Sequence, residues 1–461
     1  MRYKMKNIIL ISLSVILLTS CESFLDLKPI DFPTEETFYD DIKGLEGAII
    51  GAYDELQSGD QYSGRFMTLM EIRGDNVTND NSGASGGINY QIEVFTETPA
   101  NTNLETAWLS LYQIIYRTNL ILQNVDNVQM TETQKNNIVG QASFLRGLAY
   151  FNLVRLWGNV PLITKTQTVE EARENVRTDK SKIYEQIILD FSSAKKLPSS
   201  WVDAERGRAT SYAAQALLAK VYLYQKSYDK VTTELQPLVT AINENKVIGL
   251  VPTPQTFPEN LKTSKDVLFA VQYLKGGVGE SVHQNNRYRN NDNGNVINLE
   301  QSQFESDLDN RKSMLRPTGS GQRPEKFNSV ATNNETSGDF PIIRCAEVML
   351  MYAEALNEQS STPTADALKA LNAVRTNAGL PEKSLTDYSS KELFRKAVYQ
   401  ERRLELALEC DRWFDVVRTG QFTSVFPGVD SYRQLYPVPM SEIENVNNKE
   451  GWQNEGYSIG Q

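Results

Sequence analysis

The chain has 461 residues, with 47 basic against 58 acidic side chains, a formal charge of −11, one histidine (His283) and three cysteines (Cys21, Cys345, Cys410). That balance speaks against nucleic acid as a partner, which needs clustered Lys and Arg. It also excludes a disulfide framework, a four-thiolate zinc site and any multi-histidine metal centre, while 40 % hydrophobic residues suffice for a core and are too few for a multi-span membrane protein.

Arg2, Lys4 and Lys6 precede an apolar run from Ile8 to Leu18, which meets Leu18-Thr19-Ser20-Cys21. A basic start, a short apolar core and small residues before a cut site predict a secretory signal over 1–20. The run is too short for a transmembrane helix, which needs about 20 apolar residues. Leu-Thr-Ser-Cys looks like a bacterial lipobox, so Cys21 is the expected lipidation site and the mature N-terminus. Several acyl chains would make such anchoring stable. Pro29 and Pro33 keep the following stretch extended, so 21–40 reads as a tether and 41–461 as one folded unit.

Helical periodicity begins at Leu104, with Trp108, Leu111, Ile115 and Leu122 on one stripe. A second helix, Thr131 to Trp157, is apolar on several sides and is expected to be central; Gly158 and Pro161 end it. Helices are predicted over Lys180–Leu197, Ser211–Gln225 and Tyr228–Asn243, and a strand over Val267–Tyr273. Helical patterns return at Pro341–Asn357, Ala365–Ala378 and Ser390–Val417. A stack of helix pairs, resembling tetratricopeptide units, is the simplest architecture. Three stretches fit no helix: Asp75–Asn103 and Gly276–Asn298, both rich in Asn, and Thr318–Gly338. Long loops in a compact chain are often functional.

Enzyme signatures are absent: there is no Gly-x-Ser-x-Gly, Walker loop or Gly-x-Gly-x-x-Gly. The segment from Arg289 to Glu300 has the Gly and Glu of a calcium loop but Arg where its first Asp belongs. Glu401, Glu405 and Glu409 share a helix face, and Arg402, Arg403 and Arg412 interleave with them, which predicts a salt-bridge lattice and not a metal site. No carboxylate pair stands out for glycoside hydrolysis, and His283 reads as a polar surface residue. Sugar recognition combines an aromatic face with planar amides and charged groups. The loops around Tyr90, Trp201 and Tyr288 have that composition, and they give the candidate ligand residues Arg73, Asp75, Asn76, Tyr90, Trp201, Arg287 and Tyr288. No catalytic residue, metal or cofactor is expected.

Several blocks together resemble the SusD/RagB family of Bacteroidetes surface lipoproteins. They are the lipobox with Phe24-Leu25-Asp26; Trp108, Tyr112, Arg117 and Asn119; Phe144 to Phe151 with Gly158-Asn159-Val160-Pro161; Gly207-Arg208-Ala209-Thr210; Pro341 to Arg344; Asn372 to Arg375; and Arg412-Trp413-Phe414-Asp415. They follow the family's order over nearly the whole chain. Cys410 stands where the family usually has Gly, and Cys345 where an aromatic or aliphatic residue is common. Both are expected as buried thiols. Arg146, Arg344 and Glu401 read as scaffold, with Glu347 or Glu354 as acidic partners for the arginines.

The resemblance implies a mostly α, SusD-like fold: four tetratricopeptide-like helix pairs supporting a loop-rich ligand-binding region. Its N-terminal part would span about 41–230 and its C-terminal part about 260–461. It also implies an outer-membrane lipoprotein facing the extracellular side. Such a protein captures glycan, or peptide in the RagB branch, and passes it to a SusC-like TonB-dependent barrel, without chemistry of its own. A surface glycoside hydrolase is the competing reading.

Overall fold

The computed structural model describes residues 38–79, 83, 87–202, 205–252, 261–274, 295–297, 299, 303–315, 326, 338–447 and 450–458. The signal, Cys21, most of the tether, His283, Arg287 and Tyr288 lie outside them.

Three helices precede the first one expected, beginning with α1 (Ile42–Gln57) and α2 (Arg65–Glu71). The spacing of Leu45, Ile49, Ala52 and Leu56, all buried, carries the signal for α1. Strand β1 (Val77–Asn79) follows, and then α3 (Ile88–Glu93). The segment from Asp75 to Asn103 is therefore partly regular, and Tyr90 stands on a helix. Its many Asn and Gly residues mask a six-residue element too short to show a period.

The main body is a file of helices: α4 (Thr102–Asn124), α5 (Glu132–Trp157), α7 (Lys180–Ala194), α8 (Ser211–Tyr224) and α9 (Tyr228–Glu244). The short α6 (Val169–Arg173) sits between α5 and α7. Each long helix packs on the next, and α9 packs on α11 (Cys345–Gln359), which holds α12 (Ala365–Asn377) and α13 (Lys391–Glu405). Their lengths run from 13 to 26 residues, so the file is uneven. Helix α5 is its axis. Thr131 caps it with a reciprocal Gln134 box, and nearly every residue from Ala142 to Trp157 is buried. Gly147 lets α7 approach: a Cβ there would lie 3.2 Å from the Asp190 Cβ.

Strand β2 (Val267–Val271) pairs antiparallel with β4 (Phe340–Arg344), and β1 with β3 (Asn295–Ile297). The Pro341–Arg344 stretch is thus strand and not helix. Pro341 lacks a donor, lies opposite Ala270 beside a register shift, and the helix starts only at Cys345. Further on are α10 (Arg311–Leu315), α14 (Arg412–Arg418), α15 (Phe422–Val425) and α16 (Met440–Asn445). The pattern read as one helix over Ser390–Val417 is two. It breaks after Glu405, where Leu408 (φ 67°) and Cys410 (φ 66°) take left-handed conformations. One hydrophobic cluster runs from α1 through the whole file to Trp452. A smaller one joins α1, α4 and the start of α5. Cys345 and Cys410 are buried and not joined by a disulfide.

Candidate functional site

Charged side chains are buried in sets, and these sets decide which residues are left for a ligand. Arg344, at the junction of β4 and α11, donates to Glu409 (2.8 and 2.9 Å), to Glu405 (2.8 Å) and to Asp266 (3.1 Å). Arg311 joins Asp309, Glu401 and Glu405. Lys326 pairs with Glu409 and donates to the carbonyls of Glu405 and Ala407, closing the C-terminus of α13. Burial alone would raise the Glu405 carboxyl, but Arg344, Arg311 and Lys326 hold it down at about 2.

The acidic row is therefore no surface lattice. Its partners come from other elements, and the interleaved arginines look elsewhere: Arg402 to Glu347 and Asp415, Arg403 and Arg412 to Asp75. Arg146 pairs with Asp190 on the adjacent α7, while Glu347 takes Lys220 and Arg402, and Glu354 takes Arg418. Helix packing, not sequence proximity, chose these pairs.

Three sequence candidates meet this framework. Arg73 is fully buried. It donates to Glu97 at 2.7 and 3.0 Å and lies over the rings of Phe95, Tyr436 and Trp413. Asn76 is buried and accepts from Arg403 at 2.9 Å. Both serve as internal ties. Asp75 is half-buried, and Arg412 and Arg403 hold its carboxyl below the usual range against the upward push of burial.

Asp75 lines a cleft of about 760 Å³ between α11, α13, α14 and the turn before α9. Half-buried Tyr228 and Tyr399 give it aromatic surface, and Gln400, Gln421 and Thr419 give it uncharged polar groups. Its acids are matched. Glu358 accepts a forked pair from Arg395 (2.6 and 2.8 Å), and Glu354 one from Arg418 (2.6 and 2.9 Å). Paired charges around rings and amides suit a neutral, hydroxyl-rich ligand. Tyr399 and Tyr228 carried no sequence signal, because a helix pattern marks its apolar face and not which exposed ring borders a cleft.

Trp201 lies in a different place, beside a strap at 205–210. The strap separates two adjoining grooves of about 410 and 340 Å³. Its crossing point, Gly207, has φ +103°, and a Cβ would fall 1.1 Å from Gln272 Nε2. Around it, Trp201 Nε1 donates to the Ala209 carbonyl (2.8 Å) and the Ala209 amide to Tyr53 Oη (3.0 Å). Gly207→Ala should cost about 2 kcal/mol or more, from strained backbone and displaced Gln272, read as a lowered thermal midpoint. Tyr90 is half-buried on α3. The structure thus does not gather Asp75, Tyr90 and Trp201 into one site. Among the described residues no cluster of acids, thiols or imidazoles could hold a metal ion.

Family models match in both halves of the chain. One, described as the SusD family, covers residues 262–428; the other, described as "Starch-binding associating with outer membrane", covers 23–223. A SusD-like protein P2 of Formosa agariphila is 27% identical over 97% of this chain and 98% of its own. The starch-binding protein SusD of Bacteroides thetaiotaomicron is 36% identical, but over 28% of this chain and 23% of its own. Among solved structures, a laminarin binding SusD-like protein superposes with a TM-score of 0.70 at 25% identity, over 90% of this chain and 99% of that one. The helix file, the two short sheets and both sequence models lead to one assignment: this chain belongs to the SusD/RagB family.

Proposed function

We propose that this protein is a glycan-binding lipoprotein of the outer membrane, anchored through Cys21 and exposed to the outside. It captures oligo- or polysaccharide and delivers it to a SusC-like TonB-dependent barrel. The observation that carries the reading is the likeness over nearly full length to a laminarin binding SusD-like protein. The described helices include none long and apolar enough to cross a membrane, which fits a protein held by its lipid. Among the seven sequence candidates, Asp75 borders the cleft. Tyr90, Trp201, Arg287 and Tyr288 stay proposed as ligand contacts elsewhere.

Binding without chemistry is the reading the cleft supports. Arg395 and Lys391 hold the Glu358 carboxyl below its usual range, and Asp75 is held down likewise. A general acid for glycoside hydrolysis needs the opposite shift. Calorimetric titration of the mature protein against laminarin and other glycan fragments should show binding with no new reducing ends. Tyr399→Ala should weaken it about tenfold by removing the ring face. Release of product that survives repurification would make the protein a hydrolase. Affinity for a peptide panel alone would place it in the RagB-like branch.

A further inference from the structure

A separate groove of about 360 Å³ lies between α4, the segment 161–167, α6, α16 and Trp452, and shares no lining residue with the cleft. Its walls are fixed by their own bonds. Tyr112 donates through Oη to the Pro161 carbonyl at 2.8 Å, and its ring lies 5.3 Å from that of Trp108. Gln167 and Asn175 hold each other by two amide bonds of 2.9 and 3.0 Å, which leaves each a second N–H to donate. Trp452 is 3 % exposed, and its Nε1 has no hydrogen-bond partner among the described residues. A buried donor left unmade costs about 1–3 kcal/mol, which a ligand oxygen would recover.

The acid of this groove has no cation. Glu347, Glu354 and Glu405 each hold an Arg or Lys. Glu442, on α16, has instead the Trp108 indole, the Asn445 side chain and a second acid, Glu105 of α4, as neighbours. Burial raises its carboxyl, and the two neutral donors oppose that only in part. Arg173 lines the groove but makes no ion pair with Glu442. Arg177, beside Tyr112, spends its donors on the Trp157, Asn159 and Gly451 carbonyls and on Asn454. We infer that this groove binds an amino sugar, a pyranose with a free ammonium group. The ammonium would meet the Glu442 carboxylate beside the Tyr112 ring, and the sugar's oxygens would accept from Trp452 Nε1, Gln167 and Asn175. A carboxylate without a counter-ion takes a cation, and an indole N–H without an acceptor takes an oxygen; an aminated sugar carries both on one small frame. Its charge-assisted bond is about twice as strong as a neutral one, and the ring adds attraction for the cation. The arriving ammonium also favours the ionised carboxyl over the protonated one.

The inference rests on the glycan reading for the sugar and goes beyond it in naming a separate place and a charge class. Mature protein is titrated near neutral pH with a glucosamine oligomer, its N-acetylated counterpart, spermidine and laminarihexaose. The glucosamine oligomer should bind about tenfold more tightly than the acetylated one, which has lost the charge, and should weaken as salt rises. Glu442→Gln keeps an oxygen for the Trp108 indole, so its thermal midpoint should not fall, while affinity for the glucosamine oligomer drops about tenfold. Val169→Lys is a second variant. Val169 lines the groove at 64 % exposure, so the fold is kept and the added charge should repel the amine several-fold. Equal affinity for the two oligomers, unchanged affinity in either variant, or spermidine binding as tightly as the sugar overturns the inference. If laminarihexaose still binds in that case, the function proposed above stands. If no sugar binds, both fall.

Discussion

Arg344→Ala is expected to lose about 4 kcal/mol of stability, a large share of what holds a domain folded. Arg344 is 1 % exposed and faces three carboxylates, those of Asp266, Glu405 and Glu409, while also donating to the Glu405 carbonyl at 2.7 Å. Removing one partner of a buried ion set leaves charge without compensation, which typically costs about 3–5 kcal/mol. A domain's whole stability is about 5–15 kcal/mol. The loss should depend on pH in a diagnostic way. In the wild type the lowered Glu405 carboxyl contributes stability that is present above about pH 4.5 and is lost as pH falls toward 2. In the variant the same carboxylates lack their cation, so their folded-state affinity for protons rises and low pH favours the fold. The gap between the two proteins should therefore narrow from pH 7 to pH 4. Urea midpoints across that range measure it, and a gap that stayed constant would show that Arg344 acts through packing alone.

Glu71→Gln should stabilise the protein above neutral pH and do little near pH 4.5. Burial raises the Glu71 carboxyl from 4.5 to about 7, and the backbone N–H of Cys410 (2.9 Å) and the nearby Lys326 only partly oppose it. For an acid with a raised folded-state pKa, the native chain holds more protons than the unfolded one between the two values. Stability then falls as pH rises from 4.5 to 7 and is flat beyond. The span corresponds to about 3 kcal/mol at most. Glutamine keeps an oxygen for the Cys410 N–H and cannot ionise, so the difference curve should climb across that window and level off. Because Asp266 is also raised by burial, to about 6, only the difference between variant and wild type isolates Glu71.

What the sequence disclosed follows from the range of the forces involved. Helix α5 could be read because its caps and apolar faces are local: Thr131, Gln134 and the run to Trp157 lie within one element. The break after Glu405 could not. Leu404, Leu406, Ala407 and Leu408 continue the apolar pattern through it, and Cys410 occupies a left-handed position that glycine would have announced. The acidic row could be seen by its four-residue spacing, but its partners Arg311, Arg344 and Lys326 lie 61 to 94 positions away, and no periodicity carries that distance. For the same reason Arg73 looked like a ligand residue. An arginine beside polar loops reads as exposed until Phe95, Trp413 and Tyr436 are seen to enclose it. Trp201 was found by composition.

The segment 69–97 finds its partners in 403–457. The Leu69 carbonyl accepts from Tyr436, Asp75 from Arg412, Asn76 from Arg403 and Glu97 from Tyr457, pairs 327 to 367 positions apart. A ribosome or an export channel delivers the early segment long before the late one. Until the late one arrives, Arg73 and Asp75 have no interior to enter and Trp413 has no cation to cover. These contacts thus wait for the last part of the chain to arrive. Pairings this remote in sequence make folding slow and leave apolar surface open meanwhile. A chain cut short by its final fifty residues would leave the Leu69 carbonyl, Asp75 and Glu97 without Tyr436, Arg412 and Tyr457.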